Sequence, residues 1–142
     1  MVLVIGVTGH TGKYFLQELI ENEYKEKVRF FVREGSNVEE IIKSKLNYEI
    51  FYGDLNDKTS IERACKDTDK ILEIYNIKYS LSVLDSAISN NVKRIIFVHT
   101  TGIFSKYKSA SQEYKKIEKE VIEKIENCTY NDISKKFDFW KN

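Results

Sequence analysis

Gly6-Val7-Thr8-Gly9-His10-Thr11-Gly12 is the stretch whose reading decides the fold. Met1-Val2-Leu3-Val4-Ile5 before it is a continuous apolar run, the pattern of a strand buried on both faces. Lys13–Ile20 after it carries apolar residues at helical spacing. Three glycines therefore stand where a strand turns into a helix. There the backbone N–H groups at a helix N-terminus can face a phosphate with no side chain in the way. The first glycine permits the tight turn, the second lets a pyrophosphate approach, and the third lets helix and strand pack closely. The spacing is GxxGxxG rather than GxGxxG, so the bare pattern is weak and a purely structural turn competes with it. The flanking strand and helix, and the βα series that follows, favour dinucleotide binding.

Beyond the loop, the first helix is expected to run to about Tyr24, and Lys27–Val32 reads as a second strand ending at Arg33. Gly35-Ser36-Asn37 supplies a loop and a helix cap, and Val38–Lys45 a short helix. Tyr48–Tyr52 is a third strand closed by Gly53-Asp54, and Asp57 or Thr59 starts the next helix. Lys70–Tyr75 is a fourth strand, Ser82–Asn90 a helix, Val92–Val98 a fifth strand and Gln112–Glu126 a last helix. The remainder, Asn127–Asn142, has no persistent period. Strand and helix alternate with short connections, the mark of right-handed βαβ units. The expected fold is α/β, a Rossmann-like three-layer sandwich. Its parallel sheet has five strands in the order 3-2-1-4-5, with helices on both faces. Ligand would lie at the carboxyl ends of the strands, where the order reverses between the first and fourth.

The 142 residues predict a single domain over 1–142. The net charge of +1 gives no global field that calls for nucleic acid or an acidic membrane. No apolar run is long enough to span a bilayer, and the N-terminal run lacks the charged flank of a signal peptide. Cys65 and Cys128 follow no metal spacing and read as free thiols in a reducing cytoplasm. His10 and His99 have no companion ligands at metal spacing, so no metal site is expected.

The residues just past the strand ends carry the chemistry: Gly6–Gly12, Arg33, Asp54-Leu55, Tyr75–Tyr79 and His99–Thr101. Arg33 after the second strand suits a ribose 2′-phosphate by charge and bidentate geometry, and so NADP(H) over NAD; a solvated surface arginine is the alternative. Asp54 could accept from an adenine amino group or simply cap a helix. Thr100 and Thr101 would put hydroxyls on the nicotinamide side, though threonine also favours strand ends for β-propensity alone. His99 reads as a cleft residue or as a satisfied core histidine, and His10 as a phosphate contact or a plain loop residue. A tyrosine–lysine pair four apart, which would lower a phenol pKa for proton transfer, is missing: Tyr107 has Ser111 and Tyr114 has Glu118 at that spacing. Lys116 and Glu120 form an i,i+4 pair that reads as a solvated face.

Taken together, Val4–Gly12, Val32-Arg33, Tyr52-Gly53-Asp54-Leu55, Asn91–Gly102 and the Lys116…Glu120 helix resemble the atypical short-chain dehydrogenase/reductase group. The likeness is to NmrA-like and NAD-dependent epimerase/dehydratase-like NAD(P)-binding proteins in particular, over about residues 1–126. The resemblance implies that Gly6, Gly9 and Gly12 bind the pyrophosphate, with Thr8, His10 and Thr11 lining that loop. It implies that Arg33 meets the adenosine ribose phosphate, Asp54 and Leu55 the adenine, and that His99 lies at the cofactor. Thr100 falls where the family's catalytic Ser/Thr sits, and Lys116 near the lysine of a KxxxE-type helix. Relatives continue into a sixth strand and a substrate-binding region. Here residues 127–142 form an atypical tail in that place, as in a C-terminally truncated relative, and the tail or a second subunit of a homodimer would cover the fifth strand's edge. The implied activity is NADPH-dependent reduction of a small carbonyl or quinone. The alternatives are a non-catalytic dinucleotide or redox sensor and a vestigial fragment.

Overall fold

The computed structural model of the chain describes residues 1–99 and 108–128. Five strands alternate with helices: β1 (Val2–Ile5), β2 (Val28–Val32), β3 (Tyr48–Tyr52), β4 (Lys70–Glu73) and β5 (Arg94–Phe97). The helices are α1 (His10–Glu21), α2 (Glu39–Lys43), α3 (Lys58–Cys65), α4 (Ser80–Ser89) and α5 (Lys108–Cys128). All four strand pairings are parallel and the order is β3-β2-β1-β4-β5, as the βα alternation requires. Ile5 pairs with Phe31 on one side and Glu73 on the other, and Glu73 with Phe97.

Side chains alternate across the sheet with period two, and the core divides accordingly. Leu3, Ile5, Phe31, Ile71, Ile95 and Phe97 pack with Ile61 and Ala64 of α3, Val83, Leu84 and Ala87 of α4, and Val121 of α5. Val4, Val28, Phe30 and Val32 pack on the other face with Leu16 of α1 and Ile41 of α2. Both faces being covered is why β1 and β2 read as near-continuous apolar runs.

Helix ends depart from the sequence expectation for local reasons. α1 stops at Glu21, short of Tyr24, because Glu23 takes a left-handed conformation (φ 48°) and Tyr24 N–H donates to Leu19 O at 3.0 Å. That six-to-one bond is a Schellman closure with glutamate where glycine is usual. α4 closes the same way through Asn91 (φ 54°), with Val92 N–H on Ala87 O at 3.0 Å. It begins at Ser80 rather than Ser82, because a 3-10 turn over Ile77–Tyr79 feeds it directly. α5 begins at Lys108 rather than Gln112.

Candidate functional site: the strand-end cleft

β1 ends at Ile5, and Gly6 takes a positive φ of 97° that bends the chain toward α1. Two of the loop's glycines are demanded by packing. An added Cβ at Gly6 would lie 2.8 Å from Tyr75 Cβ, and one at Gly12 only 2.0 Å from Gly6 O and 2.6 Å from Val7 Cα. Gly9 differs. Its φ of −77° suits any residue, and an added Cβ would meet only Gly6 O, at 3.3 Å. Gly9 is the N-cap of α1 with no side-chain cap bond, and the helix's first turn carries no acidic residue. A helix N-terminus with a bare cap and no competing carboxylate fits an incoming anion.

The cleft opens beside this loop, across the ends of β1, β2 and β3. Gly6, Thr8, Arg33, Asp54 and Leu55 line it together. Arg33 is exposed at the end of β2, and its carbonyl accepts from Ser36 N–H at 3.0 Å in a tight turn. Gly53 lets β3 end against the wall: an added Cβ would lie 2.5 Å from Ser60 Oγ and 2.7 Å from Phe31 Cζ. Asp54 does not cap α3; Asp57 does, accepting from Thr59 N–H at 3.0 Å. Asp54 Oδ1 instead accepts from the backbone and side-chain N–H of Asn56 at 2.8 and 2.9 Å. Those two bonds, with the Arg33 guanidinium acting in the same direction, hold its carboxyl below the usual range.

Other predicted residues sit elsewhere. His10 is exposed at the first position of α1, edge-on to Tyr14 at 5.5 Å, and faces a groove between α1 and α2. Thr11 is exposed beside it. Lys116 stands on the solvent face of α5 with Nζ 4.0 Å from Glu120 Oε1. Thr100, Tyr107 and the tail from residue 129 lie outside the described residues. His99 has a side chain only 5% exposed, with Nε2 3.3 Å from Ser80 Oγ and Nδ1 3.6 Å from Glu118 Oε1. That placement has the geometry of the satisfied core histidine.

The stretch Tyr75–Tyr79, to which the strand-end argument points, contributes two rings to the cleft, while the bond that ties them to the β3 end and the carboxylate beneath them escaped the sequence reading. Tyr75 and Tyr79, on the turn after β4, stack at 5.8 Å and wall the cleft opposite Arg33. Tyr79 Oη donates to Asn56 Oδ1 at 3.3 Å, tying that wall to the β3 end. Beneath them Glu73 is fully buried, and burial pushes its carboxyl above the usual range, against the pull of Ser80 and two backbone N–H groups. The signal for Glu73 was present: a carboxylate inside a strand of a sheet covered on both faces must be buried, and so must have partners.

Among the described residues no helix is long and apolar enough to cross a membrane. The fold is shared with the Citrobacter sp. triphenylmethane reductase solved with NADP(H): TM-score 0.67, 19% identity, covering 85% of this chain and 45% of that one. It is shared with an NADPH-dependent quinone oxidoreductase from Escherichia coli (TM-score 0.66, 19% identity, 84% and 42%). A nucleoside-diphosphate-sugar epimerase from Pseudomonas aeruginosa is more distant (TM-score 0.57, 17% identity, 72% and 34%). The chain thus spans less than half the length of these structures. No curated protein sequence matches it. The family model described as NAD(P)H-binding matches residues 6–132, from the first glycine of the loop through α5. With the bare α1 N-terminus at the sheet's switch point, that match settles the family: the chain belongs to the NAD(P)H-binding Rossmann proteins.

Proposed function

We propose that the chain binds NADPH in preference to NADH and forms the nucleotide-binding part of an oxidoreductase acting on a small carbonyl or quinone. The observation that carries the preference is Arg33, exposed on the cleft at the end of β2, where a carboxylate would serve a free ribose 2′-hydroxyl. In this reading Gly6, Gly9, Gly12, Thr8, His10 and Thr11 form the phosphate loop, Arg33 takes the 2′-phosphate, and Asp54 and Leu55 meet the adenine. The glycine geometry fits that group: no side chain stands over Gly9, where an added Cβ would meet only Gly6 O, so the backbone N–H groups of the first turn of α1 would meet phosphate oxygens. NADPH, when bound, supplies the hydride. Thr100 would hold the reacting oxygen and Lys116 would be a charge near the ribose, while His99, buried against Ser80 and Glu118, is not used as a cofactor contact.

Lys116 favours a second reading. Its side chain is 78% exposed and its ammonium lies beside Glu120, a geometry that suits a solvated helix face and a binding-only, dinucleotide-sensing module. Calorimetric titration with NADPH and NADH tests the first step. Tighter binding of NADPH supports the reading, and equal affinities would overturn the role of Arg33. Oxidation of NADPH in the presence of a carbonyl and quinone panel separates reductase from sensor.

A further inference from the structure

Glu73, at the end of β4, has no solvent contact, yet each of its oxygens has a defined partner. Oε1 accepts from the backbone N–H groups of Tyr75 and Asn76 at 2.9 and 3.0 Å. Oε2 lies 2.9 Å from Ser80 Oγ, and the same Oγ lies 3.3 Å from His99 Nε2. Ser80 is itself fully buried. The strand neighbours of Glu73 on β1 and β5, Ile5 and Phe97, are apolar. Among the described residues the charged group facing the imidazole from α5 is Glu118, 3.6 Å from Nδ1 and 8% exposed.

A hydroxyl has one proton, and here it stands between two groups that can each accept it. If Ser80 donates to Glu73, its oxygen must accept, so His99 Nε2 must carry a proton. If Ser80 donates to His99, Nε2 is bare and Glu73 must donate its own proton to Ser80. The charge of Glu73 and the protonation of His99 Nε2 are therefore tied through one oxygen. We propose that Glu73, Ser80 and His99 form a buried proton relay. In the relay step the Glu73 Oε2–H bond breaks as a Ser80 Oγ–H bond forms, and Ser80's original O–H bond breaks as the His99 Nε2–H bond forms. One proton moves in effect from Glu73 to His99, leaving a carboxylate and an imidazolium. No proton enters or leaves the fold. Glu118 beside Nδ1 stabilises the imidazolium, and the two backbone N–H groups on Oε1 stabilise the carboxylate.

The relay connects two places that matter. Its carboxylate holds the Tyr75–Asn76 turn, whose Tyr75 packs directly over Gly6 of the glycine loop. Its imidazole stands at the end of β5. Glu73 and Ser80 are thus positioning residues, and His99 is the group whose protonation they set. The inference is independent of which nucleotide binds.

The test is nitrogen NMR of histidine-labelled protein in a His10→Gln background, which leaves His99 as the sole imidazole. In Glu73→Gln the two backbone donors keep the amide oxygen on their side, so the amide NH2 faces Ser80 and Ser80 must donate to Nε2. The expected spectrum across the neutral range has Nε2 protonated in the Glu73 protein and bare, with the proton on Nδ1, in Glu73→Gln. The same Nε2 state in both proteins would overturn the relay. A Ser80→Ala variant guards against a merely structural effect. With the hydroxyl gone, adding Glu73→Gln should no longer move the His99 signals, and a persisting shift would refute transmission through Ser80.

Discussion

Replacing Gly9 and Gly12 one at a time by alanine separates a glycine kept for a ligand from one kept for packing. At Gly12 the new methyl would sit 2.0 Å from Gly6 O and 2.6 and 2.7 Å from Val7 Cα and C. Ordinary carbon contacts are about 3.5–4.0 Å, so backbone on both sides would have to retreat by roughly 1–1.5 Å. Overpacking of this kind costs about 1–3 kcal/mol, and the upper end applies because every opposing atom is backbone. At roughly 3–4 °C per kcal/mol for a chain of this size, Gly12→Ala should melt about 10 °C below the parent. At Gly9 the one close atom is Gly6 O at 3.3 Å and φ is −77°, so alanine needs a displacement of only a few tenths of an ångström. Its poorer N-capping and its lower unfolded-chain entropy each amount to about 0.5–1 kcal/mol and oppose one another. Stability should therefore change by less than about 1 kcal/mol. Affinity should not be spared. A methyl on the path of the phosphates displaces at least one charge-assisted backbone bond of about 1.5–3 kcal/mol, roughly a 10- to 100-fold loss in Kd. Differential scanning calorimetry and NADPH titration on the same samples read both quantities. If Gly9→Ala binds NADPH as tightly as the parent while folding normally, the phosphate-cradle assignment is wrong. If it melts as low as Gly12→Ala, the packing argument is wrong.

Arg33→Ser should weaken NADPH binding by roughly 10- to 100-fold, the worth of a charge-assisted bond, and leave NADH affinity within about twofold; calorimetric titration with both nucleotides checks it. Glu73 gives a pH dependence of definite sign. Because its folded carboxyl lies above the ordinary value of 4.5, the folded state binds the extra proton, and stability is lost as pH rises from the unfolded value through the folded one. Glu73→Gln should therefore gain on the parent in urea midpoint as pH rises through that window, and a pH-independent difference would contradict it. Cys65 is buried, and burial pushes its thiol up to about 12. In a Cys128→Ser background it should resist a disulfide reagent at neutral pH until denaturant is added. Glu23→Gly should stabilise the chain by about 1 kcal/mol by relieving the left-handed backbone at the end of α1, read as a rise in urea midpoint.

How far the sequence could be read depended on whether a position answers to its neighbours along the chain or to partners across the fold. The order β3-β2-β1-β4-β5 was legible because periodicity, short connections and crossover handedness are local or topological. Gly6, Thr8, Arg33, Asp54 and Leu55 converge on one cleft because each follows the carboxyl end of a parallel strand, and those ends share one edge. Helix ends were less legible. Glu23 adopts a conformation that glutamate disfavours, and only the bond from Tyr24 to Leu19 explains why the helix stops there.

The network under the cleft was the least legible, and the reason is physical. Glu73, Ser80, His99 and Glu118 come from four elements, and nothing in their sequence spacing relates them. What relates them is that β4 pairs between β1 and β5, so that an inward residue at its end has apolar strand neighbours on both sides. Such a carboxyl must find polar partners above the sheet, and the first available are the turn it begins and the helix that follows. The turn donates two N–H groups and α4 donates Ser80, which brings the chain to His99. Glu118 shows the same logic from the other side: in sequence it is one more charged residue on a lysine-rich helix, but it lies on the face that also carries Val121, which packs into the core. A carboxylate on that buried stripe needs a cationic or hydrogen-bonding partner, and the imidazole at the end of β5 is within 3.6 Å. A charged residue at an inward position is thus the readable sign of a long-range polar network, while the identity of its partners is fixed only by the packing of the sheet and its helices.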